Sequence, residues 1–156
     1  MSPLSNLYDQ DYSAWAAETA ELLRQGRFSE LDVGHLVEEL GDMAKTQRHE
    51  LVSRLRILLA HLLKWQFQYR QLSERWAEFE GKSWRNTLIE QRLALRYLLE
   101  ESPGLKGYLS EAVTKAYPQP VELASRESEL PIETFPGPCP YSEPQILDPD
   151  FLPNAQ

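Results

Sequence analysis

The sequence predicts an all-α protein, a bundle of about five helices built on two long antiparallel helices and followed by an extended proline-rich tail. Three observations carry that expectation. Apolar residues recur at steps of three and four and nowhere alternate as a strand would. One such register runs unbroken from residue 33 to about 67. Seven of the eleven prolines fall between Pro131 and Pro153. A chain of 156 residues is one ordinary domain, able to bury roughly two-thirds of its unfolded surface without a metal or disulfide staple. The expected organisation is therefore a bundle over residues 1–130 with the tail, 131–156, packed on it in the same domain.

Tyr12, Trp15, Ala16, Thr19, Leu22 and Leu23 share one face of a helix over residues 9–25, and Gly26 stands where a helix C-terminus favours glycine. Asp32 is placed to cap the next helix, through Val33, Val37, Leu40, Ala44, Gln47, Leu51, Leu55, Leu58, Leu62 and Trp65. At 1.5 Å per residue this rod is about 52 Å long. A compact globule of this size is only about 40 Å across. Gly41 is then the expected weak point, and a bend, an elongated molecule or a second subunit covering the overhang would each resolve the excess.

Trp76, Phe79, Trp84, Leu88, Gln91, Leu95, Leu98 and Leu99 form the stripe of the second long helix, with Ser83 a competing N-cap that leaves residues 72–81 as either an extension or a separate piece. Ser102-Pro103 combines an N-cap with proline at the first helical position. That helix runs through Leu105, Leu109, Val113 and Tyr117 and must stop before Pro118. A short helix from Val121 to Glu129 follows. Phe135, Tyr141, Ile146, Leu147, Phe151 and Leu152, interleaved with the prolines, favour a tail laid over the bundle rather than a disordered one.

Net charge is −8, which makes nucleic acid an unlikely partner. The charge is segregated: residues 1–44 carry −7, residues 45–96 carry +6 and residues 97–156 carry −7. Acidic ends neutralising basic central helices is the simplest account. The start "MSPLSNLYDQDY" has neither a basic segment nor an apolar core of a leader, and no run approaches the roughly 20 residues of a membrane span. With the lone Cys139, these features lead to the expectation of a cytoplasmic protein without membrane contact.

The chemistry-bearing candidates centre on His61. Glu39, Glu50, Arg54, His61 and Gln68 fall along one flank of the long helix, at the edge of its apolar face. The surrounding wheel, from Ile57 to Leu63, is apolar almost all round, so His61 is expected to be buried with a carboxylate or carbonyl taking its proton. Arg85 and Arg92, seven apart, are expected to face Glu39 and Glu50 as a charged layer beside it. An alternative is catalytic: Arg54 or Arg56 followed by His61 matches the arginine-then-histidine spacing of helical ribonucleases, in which arginine holds phosphate and histidine moves a proton. Leu55 and Ile57 occupy places that are usually polar in those enzymes.

His35, His49 and His61 are spaced so that they cannot share one helix face, and no Glu-x-x-His pair exists, so no metal and no other cofactor is expected. Ser53, Ser73, Ser83 and Cys139 lie in no nucleophile elbow. Trp65, Trp76 and Trp84 at helical spacing read as core rather than as a base-stacking platform.

Taken together, "LYDQDYSAW", "LVEELGDM", "LLAHLLKWQ", "SWRNTLIEQR", "SPGLKGYL" and "FPGPCPYS" followed by "ILDPDFLP" resemble the bacterial helical proteins of domain-of-unknown-function family 29. The resemblance spans Tyr8 to Pro153, with a longer stretch from Arg70 to Lys82 than the family pattern has. It implies a small, all-helical, cytoplasmic bacterial protein and brings no established activity. Position within those blocks makes Glu38, Glu39, His61, Lys64, Trp65, Trp84, Gln91 and Arg92 the binding candidates. A non-enzymatic interaction or regulatory protein, with a protein partner or a homo-oligomer, is the leading expectation, because nothing here assembles nucleophile, base and stabiliser.

Overall fold

The computed structural model describes residues 3–75 and 81–155. Among them the regular structure is entirely helical, and the all-α expectation is met. The chain divides into two compact units, Met1–Thr46 and Gln47–Gln156.

In the first unit the helix expected over 9–25 is α2 (Tyr12–Arg24), preceded by a helix that the sequence did not announce, α1 (Pro3–Gln10). Asp11 separates the two. Its backbone leaves the helical region (φ −153°, ψ 87°) and its carboxylate accepts a 3.0 Å hydrogen bond from the Ala14 N–H, the geometry of an N-cap. At the other end Gly26 takes φ +70°, and the N–H groups of Gly26 and Arg27 reach back to the carbonyls of Leu23 and Leu22. This paired closure needs a left-handed residue, which glycine supplies without a Cβ clash. Leu4, Trp15 and Leu22 form a small core here, with Leu7, Tyr8, Leu31 and Leu36 against it.

The long helix is as expected: α3 spans Val33–Phe67, 35 residues, and runs through Gly41 without interruption. Asp32 stands at its start, with a carboxylate oxygen 3.5 Å from the His35 N–H.

The second unit holds the main core. Leu51, Leu55, Leu58, Leu59, Leu62 and Leu63 of α3 are fully sealed and meet Leu88, Leu95, Leu98 and Leu99 of α5 (Lys82–Glu101). Between them lies the short α4 (Tyr69–Arg75). The start of α5 is set by Gly81 rather than Ser83, which lies within the first turn. Gly81 has φ +69°, and a Cβ there would sit 2.7 Å from Trp65 Cζ3 and 2.8 Å from Tyr69 Cε2. Both backbone and space demand glycine. Trp76 and Phe79, expected on the α5 stripe, lie outside the described residues.

The helix expected from Pro103 to Tyr117 begins as a 3₁₀ segment, Pro103–Tyr108, and becomes α6 only over Leu109–Ala116. The helix does stop before Pro118, as expected, and Pro118 also opens α7 (Pro118–Ser128), three residues before the expected start at Val121. Proline suits a first helical turn because the N–H it lacks would be unpaired there. Beyond Pro131 a 3₁₀ turn (Ile132–Thr134) and α8 (Glu143–Leu147) appear, the latter closed by a reciprocal Ser142–Gln145 capping box. Phe135, Tyr141 and Ile146 belong to the same core as the α3 leucines. Tyr141 donates to Gln66 at 2.7 Å and Tyr117 to the Pro136 carbonyl at 2.7 Å.

Candidate functional site

His61 lines a pocket of about 520 Å³ between α3 and α7. Ser53, Arg56, Ile57, Ala60 and His61 come from α3, where steps of three and four put them on one face. Gln119, Pro120, Glu122, Leu123 and Arg126 come from α7 by the same logic. The imidazole is half-buried rather than sealed. Its Nδ1 lies 2.8 Å from the Ile57 carbonyl, one turn back, so that nitrogen donates and Nε2 keeps its lone pair. Burial pushes its pKa below the usual imidazole value, against the pull of that carbonyl, and nearby Lys64 adds to the lowering. His61 is therefore neutral at neutral pH, able to accept a proton.

Of its two candidate arginines, only Arg56 lines the pocket. It is exposed and makes no ion pair among the described residues. Arg54 is turned toward α5, bonded to Glu50 at 3.1 Å and to Gln91 at 3.3 Å. Arg126, which the sequence did not single out, joins the pocket while paired to Glu122 at 3.1 Å.

The expected charged layer beside His61 does not form in that shape. Arg92 is buried, and its guanidinium donates to the carbonyls of Ile146 (2.9 Å) and Gln145 (3.2 Å). Burial lowers its pKa, partly offset by Asp148 and Asp150. Its role is to hold the C-terminal segment. Glu50 is used by Arg54, and Arg85 is exposed. Lys64 pairs with Glu127 at 2.8 Å, its Nζ 6.0 Å from the Trp84 ring, and Trp65 stacks on Tyr69 at 4.3 Å. These contacts are packing and pairing within the second unit. Glu38 is exposed.

Glu39 belongs to a cluster that the sequence only grazed. Its two carboxylate oxygens accept hydrogen bonds from the hydroxyls of Tyr8 and Tyr12, the latter at 2.5 Å. The bonds from Tyr12 and Tyr8 hold the Glu39 carboxyl below its ordinary range, while the bond to Glu39 pushes Tyr8 up to about 12. Tyr8 also stacks on His35 with ring centres 3.9 Å apart. Asp32 receives His35 Nδ1 at 2.5 Å and Trp15 Nε1 at 3.2 Å. Burial works against that carboxylate, but the bonds from His35 and Trp15 win and its pKa is lowered. His35 is raised by its bond to Asp32, against desolvation. Ser5, His35 and Asp32 together do not make a catalytic relay. Ser5 Oγ and Asp32 both address Nδ1, whereas a relay needs its nucleophile and its carboxylate on opposite nitrogens. The sequence marked Asp32 as a helix cap, Tyr12 and Trp15 as members of one helix face and Glu39 as a flank residue, but nothing in their spacing joined them.

A further feature is a bare face on the first half of α3; α5 carries a second exposed row, Ile89, Leu93 and Tyr97. Val33, Val37, Leu40 and Met43 each leave 59% to 65% of their surface in solvent, and every residue from Gly41 to Glu50 is exposed.

Among the described residues no cluster of three or more potential metal ligands occurs, and no helix is long and apolar enough to cross a membrane. No curated protein and no solved structure matches the chain. One family does, Domain of unknown function DUF29, over residues 7–152. That match covers nearly the whole chain and accords with its wholly helical architecture, so the protein belongs to the DUF29 family.

Proposed function

We propose that this chain is a non-enzymatic interaction or regulatory protein whose contact face is the first half of α3. The observation that carries the reading is the row of apolar side chains, Val33, Val37, Leu40 and Met43, standing in solvent on a helix whose second half seals its leucines in the main core. A single exposed leucine is ordinary, whereas an aligned series on one helix marks a contact surface. Each such side chain gains roughly 1.5 to 3 kcal/mol when covered, so the gain from covering the row is several-fold that of one contact. A cytoplasmic setting fits the lone, half-buried Cys139, whose thiol burial pushes toward its unreactive protonated form.

A photo-crosslinking amino acid in place of Met43, with the same probe at exposed Glu101 as a control, tests the reading in the cell of origin. Discrete protein adducts from position 43 alone support it. Equal labelling at both positions, or none at either, overturns it.

The His61 pocket supports a second reading, a phosphate-directed enzyme of the helical ribonuclease kind. There Arg56 would hold the anion and Nε2 of His61 would take the proton, and Arg54, bonded elsewhere, has no part. Titration with inorganic phosphate should then move the His61 ring resonances, and Arg56→Ala should abolish the movement. Unmoved resonances, or no cleavage of single-stranded RNA by the wild-type protein, would remove this reading.

A further inference from the structure

We propose that the cavity between α5 and the end of α8 is a binding site for a small monocarboxylate with an apolar body, of the fatty-acid kind, whose head group is taken by Arg92. The site shares no residue with the bare face of α3 or with the His61 pocket.

Arg92 itself is the first observation. Only 6% of the residue is exposed, and its guanidinium donates to the Ile146 carbonyl through Nε and to the Gln145 carbonyl through Nη2. A guanidinium has more N–H groups than these two bonds use. Nη1 is left without an acceptor among the described residues. No carboxylate among them pairs with it either: Asp148 and Asp150 are exposed and act on it only from a distance. Carbonyl oxygens carry partial charge, so no full negative charge meets this cation. Burying a cation in that state costs free energy, which an anion brought into contact with it would recover.

The surroundings of that free nitrogen are the second observation. Arg92 lines a cavity of about 310 Å³ bounded by α5, the Pro103–Tyr108 segment and the end of α8. Such a volume lies at the small end of the range for ligand sites. Its apolar walls are Ile89, Leu93, Leu99, Leu147 and Pro149. Ile89 and Leu93 keep 52% and 42% of their surface in solvent, so the entrance is apolar as well. Every polar side chain lining the cavity among the described residues is charged: Arg92, Arg96 and Lys106, against the carboxylate of Glu100. Glu100 lies 3.8 Å from Arg96. Lys106 has no ion pair among the described residues.

This lining selects by what it lacks. Among the described residues no hydroxyl or amide side chain faces the cavity. A sugar, a nucleobase or a peptide would bury polar groups there without side-chain partners, and each would count against binding. An alkyl carboxylate has none to lose. Its chain covers the apolar walls, and its planar head group matches the guanidinium fork, with Lys106 to add positive charge. The small volume calls for a chain of medium length.

The test titrates octanoate, octanol, acetate and octyl phosphate into the full chain by calorimetry, with the arginine Nε–H resonances followed by NMR. Octanoate should bind at one site and shift the Arg92 resonance. Octanol and acetate, which carry only the chain or only the head group, should bind at least about tenfold more weakly. Lys106→Gln should weaken octanoate binding by about threefold or more, and Leu93→Glu, which sets a carboxylate at the entrance, by at least about tenfold. Both side chains reach solvent, so both variants should keep the wild-type circular dichroism. The proposal is overturned by an absence of saturable octanoate binding, by octanol binding as tightly as octanoate, by an unmoved Arg92 resonance, or by unchanged affinity in the two variants. Tighter binding of octyl phosphate than of octanoate would overturn the carboxylate assignment.

Discussion

Leu51, Leu55, Leu58 and Leu62 in the second half of α3 have no exposed surface, while Val33, Val37 and Leu40, set at similar steps in the first half, are mostly in solvent. The difference lies in what each half has to pack against. The second half meets α5, α6, α7 and the Pro131–Pro153 stretch in a single core. The first half offers the side chains of Leu36, His35 and Glu39 to α1 and α2 and leaves Val33, Val37 and Leu40 uncovered. An apolar stripe on a helix therefore specifies a face to be covered and is silent about whether the cover comes from the same molecule.

The sharpest way to break that contrast is truncation of one leucine in each half. Leu58→Ala should cost about 2 to 5 kcal/mol in urea denaturation, because it leaves a cavity in a fully sealed site. Leu40→Ala, measured at high dilution, should stay within about 0.5 kcal/mol of wild type. Similar losses at the two sites would mean that the first half is packed after all. Next in size, Arg92→Ala should cost about 1 to 3 kcal/mol by leaving the Gln145 and Ile146 carbonyls without their donor, read in the same experiment. Gly81→Ala should cost at least about 1 kcal/mol for its left-handed backbone, with further loss from the Trp65 and Tyr69 rings. Gly41→Ala at high dilution should instead stabilise α3 slightly, by up to about 1 kcal/mol, seen as higher helicity by circular dichroism.

The smallest effect separates the two units by pH. His35 has a raised pKa, so its contribution is complete below about 6.5 and is lost as pH rises through the folded value above that. His61 has a lowered one, so its contribution is complete above about 6.5 and is lost as pH falls through its folded value. Hydrogen exchange should show the residues around His35 loosening as pH climbs from 6 toward 8 and those around His61 loosening as it drops from 7 toward 5. Parallel responses in both places would show that the ring contacts assigned to one of them are wrong.

Much of this architecture was legible in the residues. The register from Val33 to Phe67 sufficed for α3, and Asp32 and Gly26 marked its start and the close of α2. What escaped was decided locally or at long range. α1 escaped, and so did the start of α2 at Asp11, whose side chain caps the Ala14 N–H, a local choice that periodicity does not register. Pro118 marked the stop of α6 correctly, and its second use, as the first residue of α7, escaped because the same missing N–H serves both ends. Arg92 looked like one side of a charged layer because spacing gives a residue's face but not its partner, and its partners lie more than 50 residues away. The pocket at His61 needed Arg126 of α7, which no motif connects to α3.

Arg92 grips the C-terminal segment by main-chain oxygens alone. Such a hold reads the course of the main chain at positions 145 and 146, and the Gln145 side chain helps to keep that course by completing the capping box with Ser142. That end of the molecule is thus fastened through backbone geometry, so a change at Gln145 would act by loosening the turn rather than by removing a partner from the arginine.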